Sequence, residues 1–282
     1  PIGPGPALAR GTDYEGHGFF EASSIRKIDG KYVFVYSSCN NHELCYAVSD
    51  RPDGGFRYGG TLVSQGDLHM NGRTDERKAL NYLGNTHGGM VELNGRWYIF
   101  YHRQTNQHSY SRQACAEPLE RTADGGFKQA EVTSCGLNGG PLEGKGTYPA
   151  RIACNLWSKN GVCRYDKPFD KKAHPYFTQR GRDGDKDSVQ YIANMQDGAW
   201  AGFKYFVFGG NERRISVTGR GTAFGKLKVL TERGGAPAAV IQLRPSDDDA
   251  EFSSDLSIPA GTCPLYFCFE GSGAFDFKSF TI

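Results

Sequence analysis

The sequence predicts an all-β protein in which part of a β-propeller is followed by a β-sandwich of jelly-roll type. Three observations lead there. Gly supplies 38 of the 282 residues and aromatic side chains 13%, a composition suited to many short strands joined by tight turns. A stretch near the start recurs 65 residues later, Ile25 falling on Met90 and Ser37 on His102. The last third alternates strand-like runs with Gly, Pro and Asp.

The first element is a hairpin. Tyr32-Val-Phe-Val-Tyr36 is rich in β-formers, and Asp29-Gly30 joins it to Ile25–Ile28, a dipeptide that suits a two-residue turn. In the repeat, Met90–Leu93, Asn94-Gly95 and Trp97–Tyr101 fill the same roles. Asp53-Gly-Gly-Phe56 then returns as Asp124-Gly-Gly-Phe127. Each unit therefore reads as hairpin, strand, turn and strand, the four strands of a propeller blade. Two unrelated hairpins in a sandwich are the alternative. Two units fall short of the roughly four blades a closed propeller needs, and open sheet edges invite aggregation. Residues 1–155 are thus expected to form an incomplete propeller domain.

Residues 156–172 carry mixed charge and turn residues and read as a linker. Residues 173–282 follow as the sandwich, with strands expected in "GFKYFVFGG", "RRISVTGRG", "GKLKVLTE", "AVIQLRP", "CPLYFCFEG" and "FDFKSFTI". About 100 residues with this turn spacing suit such a fold.

With 33 basic against 31 acidic residues, a formal charge of +2, there is no electrostatic case for nucleic acid or an anionic membrane as partner. No apolar run approaches the roughly 18–20 residues of a membrane span. The N-terminal residues lack the charged and apolar regions of a signal peptide, and localisation is left open. The eight cysteines admit disulfides, Cys154 with Cys163 and Cys263 with Cys268, or isolated buried thiols. No Cys-x-x-Cys pair suggests structural zinc.

Among residues able to do chemistry, Glu21 stands out because a carboxylate follows two phenylalanines and precedes a strand. Phe19 and Phe20 would lower the local dielectric and raise its pKa toward that of a general acid. A solvated or salt-bridged Glu is the plainer reading. "RDGDKDS" at 182–188 alternates Asp183, Asp185 and Asp187, yet Ser188 and Asn194 replace the Gly and Glu of a calcium-binding EF-hand loop. It reads as a solvated acidic loop, as does "SDDDAE" at 246–251.

"FFEASSIRKIDGKYVFVYSS", "YAVSDRPDGGF" and "NTHGGMVELNGRWYIFYHR" together resemble family 43 glycoside hydrolases over residues 13–155. The resemblance implies a five-bladed propeller hydrolysing arabinofuranosyl or xylosyl linkages of plant hemicellulose with inversion. One carboxyl protonates the leaving oxygen while a second activates water across the sugar. It makes Glu21 the general acid and gives Phe20 a place in the sugar pocket. It sets Arg112, in "YSRQACAEPL", opposite the acid, unless that residue is a surface arginine. It turns His87 toward the propeller axis and a calcium ion or water, unless His87 is a core histidine. The base and a second Asp belong to blades with no counterpart here. The chain alone is therefore expected to be inactive, or to work with a chain that supplies those blades.

"QDGAWAGFKYFVFGG" and "LYFCFEGSGAFDFKSFTI" resemble family 6 carbohydrate-binding modules, which makes Trp200 a candidate sugar platform or else a half-buried sandwich residue. Ala274 stands where that family often has Asn, so a bracing role for the module stays open. A non-catalytic carbohydrate-binding protein is the rival to the hydrolase.

Overall fold

A computed structural model describes residues 3–165, 172–182, 184–186 and 188–282. The chain divides into two compact units. One spans residues 1–104 and 112–132, the other 105–111 and 133–282.

The first unit holds two antiparallel sheets. Strands β1 (Phe19–Ile28), β2 (Lys31–Ser38), β3 (Glu43–Ser49) and β4 (Arg57–Ser64) pair in chain order. The expected hairpin is there, Ile28 facing Lys31 across Asp29-Gly30, and both turn residues take positive φ, 48° and 82°. β2 and β3 are buried along most of their length, and Phe34 and Tyr36 join Tyr14, Phe56 and Ala47 in the core.

The second sheet has β5 (Gly88–Leu93), β6 (Arg96–Gln104) and β7 (Arg112–Leu119). It is a three-stranded sheet where the repeat predicted four. After β7 the chain makes its Asp124-Gly-Gly-Phe127 turn, closed by a single Arg121–Phe127 bridge. Ala130 then pairs with Val63 at the end of β4, so the last segment joins the first sheet. The two sheets are stitched together by Gln65, which is 1% exposed. Its Nε2 donates to the carbonyls of Asn85 (3.2 Å) and His102 (2.7 Å), and its Oε1 accepts from the Gly84 N–H at 3.1 Å.

The second unit is a sandwich. One sheet runs β10 (Asn155–Trp157), β13 (Trp200–Phe208), β18 (Gly261–Ser272), β15 (Phe224–Leu230), β16 (Ala239–Leu243), with β8 (Leu142–Glu143) parallel to β13. The other runs β11 (Tyr176–Arg180), β12 (Val189–Met195), β19 (Phe275–Thr281), β14 (Arg214–Gly221), β17 (Ser246–Asp255), with β9 (Thr147–Pro149) against β19. Their inner faces bury Phe203, Phe206, Phe267, Phe269, Phe277 and Phe280. The six expected runs form β13, β14, β15, β16, β18 and β19.

Several expectations need correction. The divide falls near residue 132 rather than 155, because β8, β9 and β10 complete sandwich sheets. Residues 156–165, expected in the linker, begin within β10, and 166–171 lie outside the described residues. "SDDDAE" is strand, not loop. It starts β17, which pairs with β14 and exposes Asp247, Asp248 and Asp249, while Asp249 meets Lys278. In "RDGDKDS", Asp183 and Asp187 lie outside the described residues, and Asp185 accepts the Arg182 N–H at 2.7 Å. All eight cysteines are free thiols. Cys263 and Cys268 share β18 five positions apart, an odd spacing that turns them to opposite faces. Among the described residues no helix is long and apolar enough to cross a membrane.

Candidate active site

Glu21 lies on an irregular start of β1. Pairing with β2 shifts on both sides of it, and Ala22 takes a left-handed φ of 59°. Bulges of this kind re-aim a side chain. Glu21 Oε1 lies 2.7 Å from Nε2 of His87, the two side chains 41% and 31% exposed.

His87 reaches this position through backbone anchors on either side. The Thr86 N–H donates to Asn41 O at 2.9 Å, and Gln65 fixes Gly84 and Asn85. On the other side Gly88 runs so close to β6 that an added Cβ would sit 1.8 Å from the Phe100 carbonyl oxygen. No larger residue fits there without moving the strand that carries His87.

The row continues beyond His87. Its ring meets the edge of His102, centroids 5.2 Å apart, and Arg112 Nη1 donates to His102 Nε2 at 3.2 Å. Burial, reinforced by the positive charge of Arg112 and by His87, holds the His102 pKa down to about 4. His102 is therefore a neutral acceptor at physiological pH. Glu21, His87, His102 and Arg112 thus form one line drawn from β1, the lead into β5, β6 and β7. No sequence motif gives His102 a role. It repeats the position of Ser37, and its link to Arg112 exists only through the β6–β7 register.

The phenylalanines do not enclose Glu21 as expected. Phe19 packs against Phe34 and Tyr36, while Phe20 is 51% exposed, since successive strand residues face opposite ways. The carboxyl is open rather than sealed in an apolar pocket. Calcium fits poorly at His87. The ion takes six to eight oxygens, whereas His87 offers a nitrogen already bonded to Glu21.

Trp200 belongs to the second unit. It stacks on Trp157, centroids 5.4 Å apart and planes 8° apart, and Tyr266 stands edge-on to both. Arg233 lies over the Trp157 ring at 5.5 Å. One face of Trp200 is therefore taken by its neighbour.

A second carboxylate–histidine pair has no motif in the sequence. Glu43, at the start of β3, is fully buried, and its Oε1 lies 2.7 Å from His17 Nδ1. Ser38 Oγ and Asn40 Nδ2 donate to the same oxygen at 2.5 and 2.9 Å. Burial alone would raise the Glu43 pKa, but these bonds and the charges of His17 and His42 outweigh it and bring it down to about 2. His17 is raised in turn, chiefly by its bond to Glu43.

Over all of its length the chain is 46% identical to a xylosidase/arabinosidase of Thermoclostridium stercorarium. The similarity runs from one end of this chain to the other. It spans 59% of that relative's length. A β-xylosidase of Xylanibacter ruminicola is 38% identical over 114 residues, 40% of this chain and 31% of that one. No protein-family profile matches the chain. Among solved structures, a family 43 arabinoxylan arabinofuranohydrolase from Bacillus subtilis, in complex with cellotetraose, superposes with a TM-score of 0.50 at 19% identity. It covers 93% of this chain and 54% of its own, and bears on the fold alone.

Proposed function

We propose that this chain carries the proton-donating half of an inverting glycosidase that cleaves xylosyl or arabinofuranosyl linkages of hemicellulose, with Glu21 as general acid. The observation that carries this is the open Glu21–His87 pair, 2.7 Å apart. The carboxyl is reachable by a ligand oxygen, and the imidazole holds it in one orientation. Arg112, tied to neutral His102, brings a cation whose fixed donor fork suits sugar hydroxyls. The similarity to the Thermoclostridium stercorarium xylosidase/arabinosidase supports the substrate class.

The general base is expected from outside the turn carboxylates of the first unit. Asp13 accepts the Tyr58 N–H at 3.0 Å, Asp29 pairs with Arg121 at 2.7 Å, Asp53 with Arg51 at 3.0 Å, and Asp124 is bonded by Thr122. Residues 1–282 assayed alone are thus expected to turn over aryl xylosides and arabinofuranosides far below the ~10 per second of a typical enzyme. Turnover at that level would place the base within them.

The decisive experiment is Glu21→Gln in the catalytically active protein. Oligosaccharide turnover should fall by about 10²–10⁴-fold, with aryl glycosides of good leaving groups losing least. Equal losses on both substrates would remove Glu21 from the acid's role. Carbohydrate binding without catalysis is the second reading, favoured by the aromatic face of Trp157, Trp200 and Tyr266. Calorimetric titration with xylan oligosaccharides tests it. Heat that Trp200→Ala abolishes would support a binding face, and no heat from the folded protein would end this reading.

A further inference from the structure

We propose that His17, Glu43 and Cys45 form a site for a borderline divalent metal ion of the zinc class, with His69 as fourth ligand. One ligating atom from each of the first three lies within 4.8 Å of the others. Among the described residues no other group of three His, Cys, Asp or Glu side chains gathers so closely. Cys45 Sγ is 3.9 Å from His17 Nδ1, and His69 Nε2 is 3.7 Å from Glu43 Oε2. Tetrahedral zinc, with bonds of about 2.0–2.3 Å, sets its ligands roughly 3.4–3.6 Å apart, near the His17–Cys45 and His69–Glu43 spacings. His69, outside the group of three, must swing closer to His17 and Cys45 to complete the set. The closer His17–Glu43 contact is a hydrogen bond whose proton the metal would replace.

The donor set selects the metal. One sulfur, two imidazole nitrogens and a carboxylate oxygen suit zinc and its first-row neighbours, whereas calcium and magnesium take oxygen. The surroundings are those of a structural site. Glu43 and Cys45 are fully buried, and the outer groups are in place. Ser38 and Asn40 orient the carboxylate, Thr61 lies 3.6 Å from Cys45 Sγ, and Tyr58 stacks on the His17 ring at 5.0 Å. His17 and His69 are 21% and 38% exposed and give the ion a way in. His69 is held toward the site by a bent loop, with positive φ at Asp67 (52°), His69 (69°) and Asn71 (51°). Such values are uncommon in residues other than glycine. Binding releases the Cys45 thiol proton and any proton shared between His17 and Glu43. The ion would pin the segment ahead of β1 and the loop after β4 to β3.

Cobalt(II) titration of the chelator-stripped full chain tests this. The expected result is one equivalent bound, with a thiolate-to-cobalt charge-transfer band and the strong visible absorption of a four-coordinate ion. Zinc should displace the cobalt and raise the melting temperature. Cys45→Ser should abolish the charge-transfer band, Ser38→Ala should weaken binding about 10–100-fold, and Cys39→Ser should change neither. Circular dichroism of the stripped variants confirms that each is folded. Failure of the folded wild-type chain to bind one equivalent overturns the proposal, as does a band that survives Cys45→Ser or vanishes with Cys39→Ser.

Discussion

The first unit contains the same chemical pair twice, in opposite settings. Glu21 with His87 and Glu43 with His17 both meet at 2.7 Å. Glu21 is 41% exposed and has one side-chain partner at its bonded oxygen, whereas Glu43 is wholly buried and shares that oxygen among His17, Ser38 and Asn40. A buried carboxylate must be compensated on every side, so its neighbours fix its charge and it has no freedom to exchange a proton with a ligand. An open one costs the fold little and keeps that freedom. Distance alone therefore does not separate a reactive pair from a structural one; the number of competing donors does.

The largest effect expected from breaking this contrast is on stability. Glu43→Ala strands the buried Ser38 hydroxyl and the half-buried His17 and Asn40 and should cost about 3–5 kcal/mol, while Glu21→Ala should stay within about 1 kcal/mol. Urea unfolding of both variants measures the difference, and equal midpoints would erase the distinction. Gly88→Ala comes next. Its Cβ meets the Phe100 carbonyl at 1.8 Å, so the variant should lose about 1–3 kcal/mol through overpacking. It should also displace His87 from Glu21, seen as a changed His87 imidazole resonance that Gly95→Ala, in a roomier turn, does not reproduce.

The smallest effect concerns pH. His102 titrates near 4 when folded, against an ordinary 6.5. Between those values the unfolded chain binds a proton that the folded chain refuses. Stability should therefore fall as pH drops from 6.5 toward 4 and be insensitive to His102 above that window. The groups facing His102 are Arg112, His87 and Glu21. His102→Asn should flatten the dependence relative to wild type, and identical slopes in urea midpoints from pH 7.5 to 4.5 would show that His102 binds its proton equally in the folded and unfolded chain.

Local chemistry made much of the fold legible. Asp29-Gly30 and Asn94-Gly95 announce their hairpins because left-handed turns favour those residues, and the sandwich strands carry their own alternation. What could not be read was decided by distant partners. β8 and β9 are two and three residues long and pair with the stretches of β13 and β19 that β10 and β12 leave uncovered. β17 has three consecutive exposed aspartates near its start, at the edge of its sheet, a pattern easily taken for a loop. At the site, Glu21, His87 and Arg112 were legible through their motifs. His102 and Glu43 were not, since their partners come from other strands and only the register brings them together.

The stacked indoles of Trp157 and Trp200 also have an optical consequence. The chain holds three tryptophans. Trp97, in the first unit, packs edge-on to Phe127 at 5.5 Å, and the other two lie face to face in the second. Two nearly parallel chromophores so close couple their electronic transitions, so the sandwich should carry an exciton signature in circular dichroism that a solitary indole lacks. Loss of that signature then gives an intrinsic readout of the second unit alone, read from a single unlabelled sample.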